Sequence, residues 1–343
     1  MKRHKICKII FAILAVFLCV AFYELIGICI TYKKQPAVSD ATIKETQNIM
    51  SVAGRENTER AVIIEKNSQA LLERVRLIQN AKDEIILSTF AFKSDESGKL
   101  ILGALHDAAD RGVHVRILVD GMESWIDMEG NPYFYGLSSH ENVEIKLYNK
   151  ANPLKPWKTM GRMHDKYLIA DGKIYILGGR NTYNYFLGDF PGHKNFDRDV
   201  LVVCDEPQKD NSVNQLWDYF ETIWEQEDCR YFHNSKKLAD RQSVKKAVLE
   251  LQEGYQQYFE VNKEKICDTD YADETFETEK IILLSNPIHT QAKEPVVWYQ
   301  LGELMKNAKE RVKIHTPYII CNDMMYNTCL LYTSPSPRDI SGS

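Results

Sequence analysis

Short β-rich runs alternate with helix-spaced segments along most of this chain, and that alternation is the strongest constraint on its fold. Residues 85–90 predict a buried strand, and residues 99–111 have the apolar spacing of a helix. A second strand is predicted at 113–119, before a turn at Asp120-Gly121. Four further strands are predicted at 143–148, 167–170, 174–177 and 200–203. Strands interleaved with helices indicate an α/β fold whose sheet is covered by helices on both faces.

An amphipathic helix is predicted at residues 213–225. Leu216, Phe220 and Trp224 recur there at helical spacing, so they form one aromatic and aliphatic stripe. Such a stripe is expected to pack into the core and not to bind a ligand.

The N-terminus contains a long apolar run. Residues 9–31 are apolar except for Glu24, and at about 1.5 Å per residue such a run crosses the roughly 30 Å hydrocarbon core of a bilayer. A cleavable signal peptide has a shorter run that ends in small residues, whereas this run ends in Thr31-Tyr32-Lys33-Lys34. We therefore expect residues 1–32 to be a retained single-pass anchor in the cell membrane.

Basic residues flank this run on both sides. They precede it at Lys2, Arg3, Lys5 and Lys8 and follow it at Lys33 and Lys34. The larger number on the N-terminal side favours a cytoplasmic N-terminus and an extracytoplasmic catalytic domain.

The charge and the cysteine content of the chain limit the kinds of partner that it can have. The formal net charge is −5, which gives no support to non-specific nucleic-acid binding, so no nucleic-acid partner is expected. The eight cysteines are scattered and form no CxxC pair. We therefore expect neither a metal site nor a disulfide framework.

A weak internal repeat suggests the domain organisation. The segment 80–89 aligns with 307–316, an offset of 308 − 81 = 227 residues, and each copy predicts a helix end that leads into a strand. Residues 33–60 are polar and aperiodic, as a tether is expected to be.

The most informative segment runs from His164 to Asn181. Side chains alternate along a strand, so His164 and Lys166 are predicted on one face, and Asp165 and Tyr167 on the other. A tight turn at Asp171-Gly172 returns the chain to Gly178 and Gly179, which allow the backbone to approach a bound molecule closely, and Asn181 arrives beside His164. A nucleophilic nitrogen, a fixed positive charge and an amide donor suit a phosphate-ester site.

The pattern HxK, four residues, Asp, six residues, GGxN resembles the signature of the phospholipase D superfamily. The likeness extends over most of the chain from about residue 61, and "RMHDKYLIADGKIYILGGRN" is most similar to the bacterial cardiolipin synthase-like branch. The resemblance implies a mixed β-sheet with helices on both faces. It also implies chemistry without a metal or other cofactor.

The resemblance further implies a role for each motif residue. His164 corresponds to the nucleophile that forms a phosphohistidine, and Lys166 and Asn181 to the groups that bind the phosphoryl oxygens, next to Gly178 and Gly179. Asp171 belongs to the catalytic motif, where it is expected to support the local fold more than the chemistry. Asp197 matches the carboxylate that orients a catalytic histidine, whereas Asp199 is expected to be a turn or strand-edge charge.

The sequence departs from the family in containing no second HxK followed by GGxN or GSxN. Residues 312–320, "VKIHTPYII", resemble the opening strand of a second half, and the 227-residue offset puts the second histidine at 164 + 227 = 391, beyond Ser343. Residues 329–343 look like a non-native or disordered tail. We therefore divide the chain into an anchor (1–32), a linker (33–60), a complete first half (61–275), the beginning of a second half (276–328) and this tail.

These features favour a membrane-anchored enzyme that transfers phosphatidyl groups or hydrolyses phospholipids. Phosphatidylglycerol and phosphatidylethanolamine are the expected substrates. The chain alone is expected to be weak or inactive, because a missing second half or a second chain is needed to complete the site. The alternatives are a dimeric phosphodiesterase or nuclease with one motif per chain, and a catalytically dead membrane-tethered scaffold.

Overall fold

The computed structural model describes residues 2–51, 59–152 and 154–314 of the 343-residue chain. The chain divides into two compact units. The first comprises Met1–Thr31 and Glu56–Leu283, and the second comprises Tyr32–Arg55 and Leu284–Ser343.

A nine-stranded mixed sheet forms the centre of the first unit. Its strands are β1 (Arg60–Ile64), β2 (Glu84–Thr89), β3 (His114–Asp120), β4 (Val143–Tyr148), β5 (Tyr167–Ala170), β6 (Ile174–Gly178), β7 (Asp199–Val203), β8 (Cys229–Tyr231) and β9 (Phe276–Glu277). They lie in the order β8-β4-β3-β2-β5-β6-β7-β1-β9, with β2, β3 and β4 parallel and the other pairs antiparallel. The predicted α/β sheet and its strand positions are confirmed.

Helices cover both faces of this sheet. The α-helices within the described residues are α1 (Lys2–Tyr32), α2 (Asp40–Ser51), α3 (Asn67–Asn80), α4 (Glu96–Asp110), α5 (Glu123–Asp127), α6 (Pro132–Ser138), α7 (Ser212–Trp224), α8 (Lys236–Ala239), α9 (Gln242–Ile266) and α10 (Val296–Asn307). On one face α3, α4, α6 and α9 pack together over a continuous apolar core.

The other face is covered by α7. Leu216, Phe220 and Trp224 are buried there, which confirms the predicted structural stripe. The Arg116 guanidinium of β3 lies 4.9 Å from the Phe220 ring centroid, and the Lys146 ammonium of β4 lies 4.4 Å from that of Trp224. The two cationic side chains thus pack against aromatic rings of α7, and these contacts hold α7 on the sheet.

The β5–β6 hairpin has the tight turn that the sequence predicts. Asp171 and Gly172 both have positive φ, 52° and 61°, and Lys173 N donates to Ala170 O at 3.0 Å. Two consecutive left-handed residues match the right-handed twist of the flanking strands, and aspartate and glycine tolerate that conformation.

The second unit contains a helix within residues 33–60, the segment predicted to be a polar, aperiodic tether. Within residues 33–60, α2 begins after Ser39, whose Oγ accepts a hydrogen bond from Thr42 N at 3.2 Å. Glu294 accepts from Ser39 N and from Thr42 Oγ1, both at 2.7 Å. Polar capping and contacts with α10 stabilise this helix, although it lacks a broad apolar stripe.

In both copies of the internal repeat, a helix ends at the equivalent residue. Both α3 and α10 end at the asparagine of the repeat, Asn80 and Asn307, and the following alanines are extended, with ψ of 139° and 128°. The second copy continues into residues 315–320, which lie outside the described residues, as does the tail at 329–343.

Helix α1 is long and apolar enough to cross a membrane between Lys5 and Tyr32. None of its most apolar stretch is buried, whereas the core helix of a globular domain buries such residues.

Candidate active site

His164 lies at the edge of the sheet where β2, β3 and β4 end. It precedes β5 by three residues, and β5 begins beside the end of β2 because Tyr167 pairs with Ser88. The imidazole is exposed on one side and packs on the other against Phe90, with 4.7 Å between the ring centroids. The carboxyl ends of parallel strands are where open α/β sheets bind ligands.

Lys166 lies beside this histidine and is almost completely buried, with 5% of its surface exposed. Its Nζ donates to the His164 carbonyl oxygen at 2.5 Å and lies 5.3 Å from the Phe90 ring centroid. His164 and Lys166 therefore share the Phe90 ring, as the alternation of strand side chains predicts.

The two groups have shifted pKa values. Burial lowers the pKa of Lys166 to about 8, although the charges of Asp165 and Asp197 act in the opposite direction. Desolvation and the Lys166 ammonium lower the pKa of His164, and Asp120 partly counteracts them. At neutral pH the imidazole is therefore mainly uncharged and nucleophilic beside a mainly protonated ammonium.

Asn181 reaches the same edge through a short parallel pairing with the segment after β2. Phe92 pairs with Thr182, and Ala91 N donates to Asn181 Oδ1 at 3.1 Å. Since the amide oxygen accepts this bond, the NH₂ group is the end that remains to donate to a ligand. The predicted cluster of His164, Lys166 and Asn181 is thus assembled on one edge.

Asp120 is a site residue that sequence reasoning missed. It is completely buried at the end of β3, where its Oδ2 accepts from Arg162 Nε at 2.9 Å and from Met163 N at 3.1 Å. These bonds hold the two residues that precede His164. The available signal was a carboxylate that closes a buried strand, which we interpreted only as part of a turn.

The opposite face of the same strand has a structural contact. Tyr219 of α7 donates to Asp165 Oδ2 at 2.7 Å, and the Tyr219 and Tyr167 ring centroids are 6.4 Å apart. Asp165 and Tyr167 therefore face α7, whereas the sequence predicted only that they lie opposite His164 and Lys166.

Gly178 and Gly179, which are predicted to lie next to the substrate, both lie close to protein carboxylates. A Cβ at Gly178 would lie 2.0 Å from Asp199 Oδ1, and a Cβ at Gly179 would lie 2.0 Å from Asp197 Oδ2. The absent side chains leave room for these two carboxylates. The close approach that the structure shows at these glycines is to Asp197, in the loop before β7, and to Asp199, the first residue of β7.

Asp197 acts on Lys166 more than on His164. Its charge raises the pKa of Lys166, and its Oδ1 accepts from Arg198 N at 2.8 Å. In the part of the chain that the structure describes, no hydrogen bond joins this carboxylate to the His164 ring. The orienting role predicted for Asp197 therefore stays a prediction.

Asp199 and Arg180 form a buried ion pair. Asp199 lies 3.0 Å from Arg74 Nη1 and 3.3 Å from Arg180 Nη1, and Arg180 also donates to the carbonyl oxygens of Ile64 and Glu65. Asp199 is 1% exposed, so the expectation of a turn or strand-edge charge is wrong. Arg180 therefore links the end of β1 to the start of β7 behind the site.

Asp171 lies at the other end of β5, away from this cluster. Its Oδ1 accepts from Asp83 N and Glu84 N at 2.8 and 3.0 Å, and its Oδ2 accepts from Lys82 N at 2.9 Å. Seven residues of roughly extended chain separate it from His164, about 20 Å at ~3.3 Å per residue. Although Asp171 is predicted as part of the catalytic motif, its carboxylate secures the β5–β6 turn to the start of β2, which is the supporting role that the sequence favoured.

Comparisons with known proteins agree with this architecture. A family model described as cardiolipin synthase, phospholipase D-like domain, matches residues 75–224. An uncharacterized protein of Helicobacter pylori (strain ATCC 700392 / 26695) is 27% identical over 292 residues, covering 77% of this chain and 55% of that protein. Cardiolipin synthase C of Escherichia coli K12 is 29% identical over 154 residues, which cover 41% of this chain and 31% of the enzyme.

Among solved structures, Nuc from Salmonella typhimurium, a phospholipase D family member, superposes with a TM-score of 0.37 at 21% identity, covering 52% of this chain and 100% of Nuc. Of the two sequence relatives described above, the chain spans about half of the first and about a third of the second. Residues 75–224 therefore contain a phospholipase D-like domain.

Proposed function

We propose that this chain provides a histidine-based half-site for phosphatidyl transfer or phospholipid hydrolysis. The observation that supports it best is the grouping of an accessible imidazole of lowered pKa with a buried lysine and an asparagine amide. The similarity to cardiolipin synthase C favours phospholipids as the phosphodiester substrates, with phosphatidylglycerol or phosphatidylethanolamine as donors.

The proposed reaction has two displacements at phosphorus. An imidazole nitrogen of His164 attacks the phosphodiester, the bond to the leaving alcohol breaks, and a phosphohistidine forms. Lys166 and the Asn181 amide bind the non-bridging oxygens and stabilise the charge that develops on them. Attack by water then gives hydrolysis, whereas attack by an alcohol gives transfer, and both release the imidazole.

The leaving alkoxide needs a proton from a general acid. The sequence has no second HxK–GGxN pattern, so we propose that a second half-site supplies this acid, either as a second half of the protein or as a second chain. The half-site described here accordingly forms the covalent intermediate slowly with natural phospholipids.

We further propose that α1 anchors the enzyme in the cell membrane. An anchor keeps the His164 cluster near a surface where the concentration of phosphodiester head groups is high. The side of the membrane stays the prediction made from the flanking basic residues, with the catalytic domain outside the cytoplasm.

A p-nitrophenyl alkyl phosphodiester tests the nucleophile without the missing acid, because nitrophenolate leaves unprotonated. We expect the full chain in detergent to release a burst of about one nitrophenolate per site and to retain an acid-labile phosphoryl group on His164. The burst is expected to disappear in His164→Ala and to persist in His114→Ala, whose imidazole begins β3 at the opposite edge and pairs with Glu84 and Glu144. An equal burst in His164→Ala contradicts the proposed nucleophile.

A further inference from the structure

A row of exposed apolar side chains surrounds the edge of the sheet that holds His164. We call this set the apolar rim, and its members are Trp125, Ile126, Leu154, Trp157, Met160 and Phe196. The exposed fractions are 68% for Trp125, 78% for Leu154 and 79% for Phe196. Single exposed apolar residues are common on protein surfaces, but a group that includes two tryptophans beside a site needs an explanation.

Chain topology brings the rim together. Helix α5, with Trp125 and Ile126, begins three residues after β3 ends. Residues 154–161 are held at the end of β4 because Asn149 Nδ2 donates to Lys158 O at 2.7 Å and to Gly161 O at 2.8 Å. Phe196 precedes β7, whose first residue pairs with Gly178 at this same edge. The rim and the His164 cluster therefore occupy one edge of one sheet.

The same loop contacts the candidate membrane helix. Tyr23 Oη donates to Leu154 O at 3.5 Å, and Thr159 Oγ1 donates to Glu24 Oε2 at 3.3 Å. Tyr23 and Glu24 lie about 10–12 Å before Thr31 along the axis of α1, at ~1.5 Å per residue. These contacts place residues 154–161 against the C-terminal third of α1, so the loop lies next to the candidate span.

The charge of this segment suits an anionic surface. Residues 150–162 contain four basic side chains and no aspartate or glutamate. Lys150 and Lys155 are exposed, whereas Lys158 forms an ion pair with Asp228. Lysines next to tryptophan and aliphatic side chains are the composition of surfaces that lie in the interface of an anionic bilayer.

We propose that the apolar rim inserts into the head-group region of an anionic phospholipid bilayer and seats the His164 cluster against the lipid phosphodiesters. Lys150 and Lys155 contact the anionic head groups. The inference rests on the membrane anchoring proposed above and not on the chemistry of His164, so a His164→Ala chain docks as the wild type does.

Tryptophan quenching by brominated lipids measures this insertion directly, because all five tryptophans lie outside the residues of α1. The full chain is reconstituted into vesicles of phosphatidylglycerol and phosphatidylcholine with or without bromine on the acyl chains. We expect bromine near the head group to quench more than bromine near the bilayer centre. In Trp125→Phe/Trp157→Phe, the quenched fraction falls by roughly half or more, since the rim supplies the tryptophans that reach the lipid.

Trp217→Phe is the matched control, because Trp217 of α7 packs under the β5–β6 turn, 3.6 Å from a Cβ built at Gly172. This variant is expected to retain the quenched fraction of the wild type. Replacing phosphatidylglycerol by phosphatidylcholine, or substituting Lys150→Glu and Lys155→Glu, is expected to weaken quenching. Emission that bromine does not change, or a quenched fraction that persists in the double tryptophan variant, overturns the proposal, and a rim that is covered by a protein partner gives that result.

Discussion

His164 and Lys166 need opposite protonation states for the proposed attack. The imidazole must be uncharged, so the burst rate is expected to rise with pH through a His164 pKa that lies below its ordinary value. The ammonium must be charged, so the rate is expected to fall above about pH 8 as Lys166 loses its proton. The burst rate of nitrophenolate, measured from pH 4 to pH 10, is therefore expected to be bell-shaped.

Lys166→Arg separates the two limbs of this profile. Arginine stays protonated throughout the range, so the alkaline limb is expected to disappear while the acid limb persists. The maximal rate is expected to fall, because the larger guanidinium has to take the buried position of an ammonium beside Phe90. An alkaline limb that remains near pH 8 in this variant assigns that limb to another group.

Gly179→Ala tests the close packing between the GGRN segment and Asp197. A Cβ there would lie 2.0 Å from Asp197 Oδ2 and 2.6 Å from Cγ, so the carboxylate has to move. We expect a loss of about 1–3 kcal/mol in the free energy of unfolding. The alkaline limb is also expected to move to lower pH, because Asp197 raises the pKa of Lys166.

Gly254→Ala is the matched control for that substitution. Gly254 lies inside α9, and a Cβ built on it has no other atom within 4 Å. Alanine there is expected to raise stability by about 0.5–1 kcal/mol and to leave the pH profile unchanged. Urea denaturation of both variants gives the comparison. A Gly179→Ala protein with wild-type stability and profile contradicts the packing argument.

The chemistry of single residues was easier to predict than the contacts between distant ones. Strand alternation alone puts His164 and Lys166 on one side and Asp165 on the other, because that periodicity is local. The neighbours of Gly178 and Gly179 depend on where β7 returns to the sheet, which no local pattern records. Asp120 was missed for the same reason, since its partners lie about forty residues further along the chain.

At the scale of elements, Asp171 joins the β5–β6 turn to the start of β2. Asp171→Ala leaves three backbone N–H groups without their acceptor and puts alanine at a φ of 52°. We expect a loss of about 1–2 kcal/mol in unfolding free energy, moderated by solvent access to these groups. Asp171→Asn keeps one acceptor oxygen and tolerates the left-handed backbone, so it is expected to cost less.

The nitrophenolate burst of both Asp171 variants, measured per folded molecule, is expected to equal that of the wild type. Thermal denaturation gives the folded fraction and the burst gives the chemistry. Normal stability with a lost burst in Asp171→Ala is the result that restores this carboxylate to the reaction.

Element positions followed closely from periodicity where burial is one-sided. The bounds of β4 and β5 agree with the sequence prediction residue for residue, because β4 begins with alternating apolar and charged residues and β5 is a short apolar run that ends at a turn. Helix α2 was missed because its stability comes from the Ser39 cap and from contacts with Glu294, more than two hundred residues away. A capping residue alone was too weak a signal to predict a helix.

At the scale of the whole molecule, the surfaces of the sheet domain and of α1 are suited to different solvents. The sheet buries its apolar side chains between α7 on one face and α3, α4, α6 and α9 on the other. Helix α1 leaves its apolar side chains exposed, with Phe11, Val16 and Phe17 each more than 60% accessible. In water that exposure opposes solubility, whereas in a bilayer it is the expected surface of a span.

The anchor is tested with the full chain expressed in bacterial membranes. The wild type is expected to stay in the membrane pellet after alkaline carbonate and to be released by detergent. In Leu14→Arg/Val16→Arg, two charges near the middle of α1 cost about 2.5–3.5 kcal/mol each on insertion, so the chain is expected to lose its carbonate resistance. Leu14→Ala/Val16→Ala is the control at the same positions, since alanine leaves the span uncharged and long enough to cross.

Intact mass distinguishes a retained anchor from a cleaved signal sequence. A retained anchor leaves residues 5–32 on the membrane-bound protein, whereas cleavage removes them and lets carbonate release the domain. If the full-length chain is released by carbonate as readily as the arginine variant, α1 does not span the bilayer. The apolar rim then lacks the tether that holds it at the lipid surface, and lipid access by the His164 cluster must come from the rim and its lysines alone.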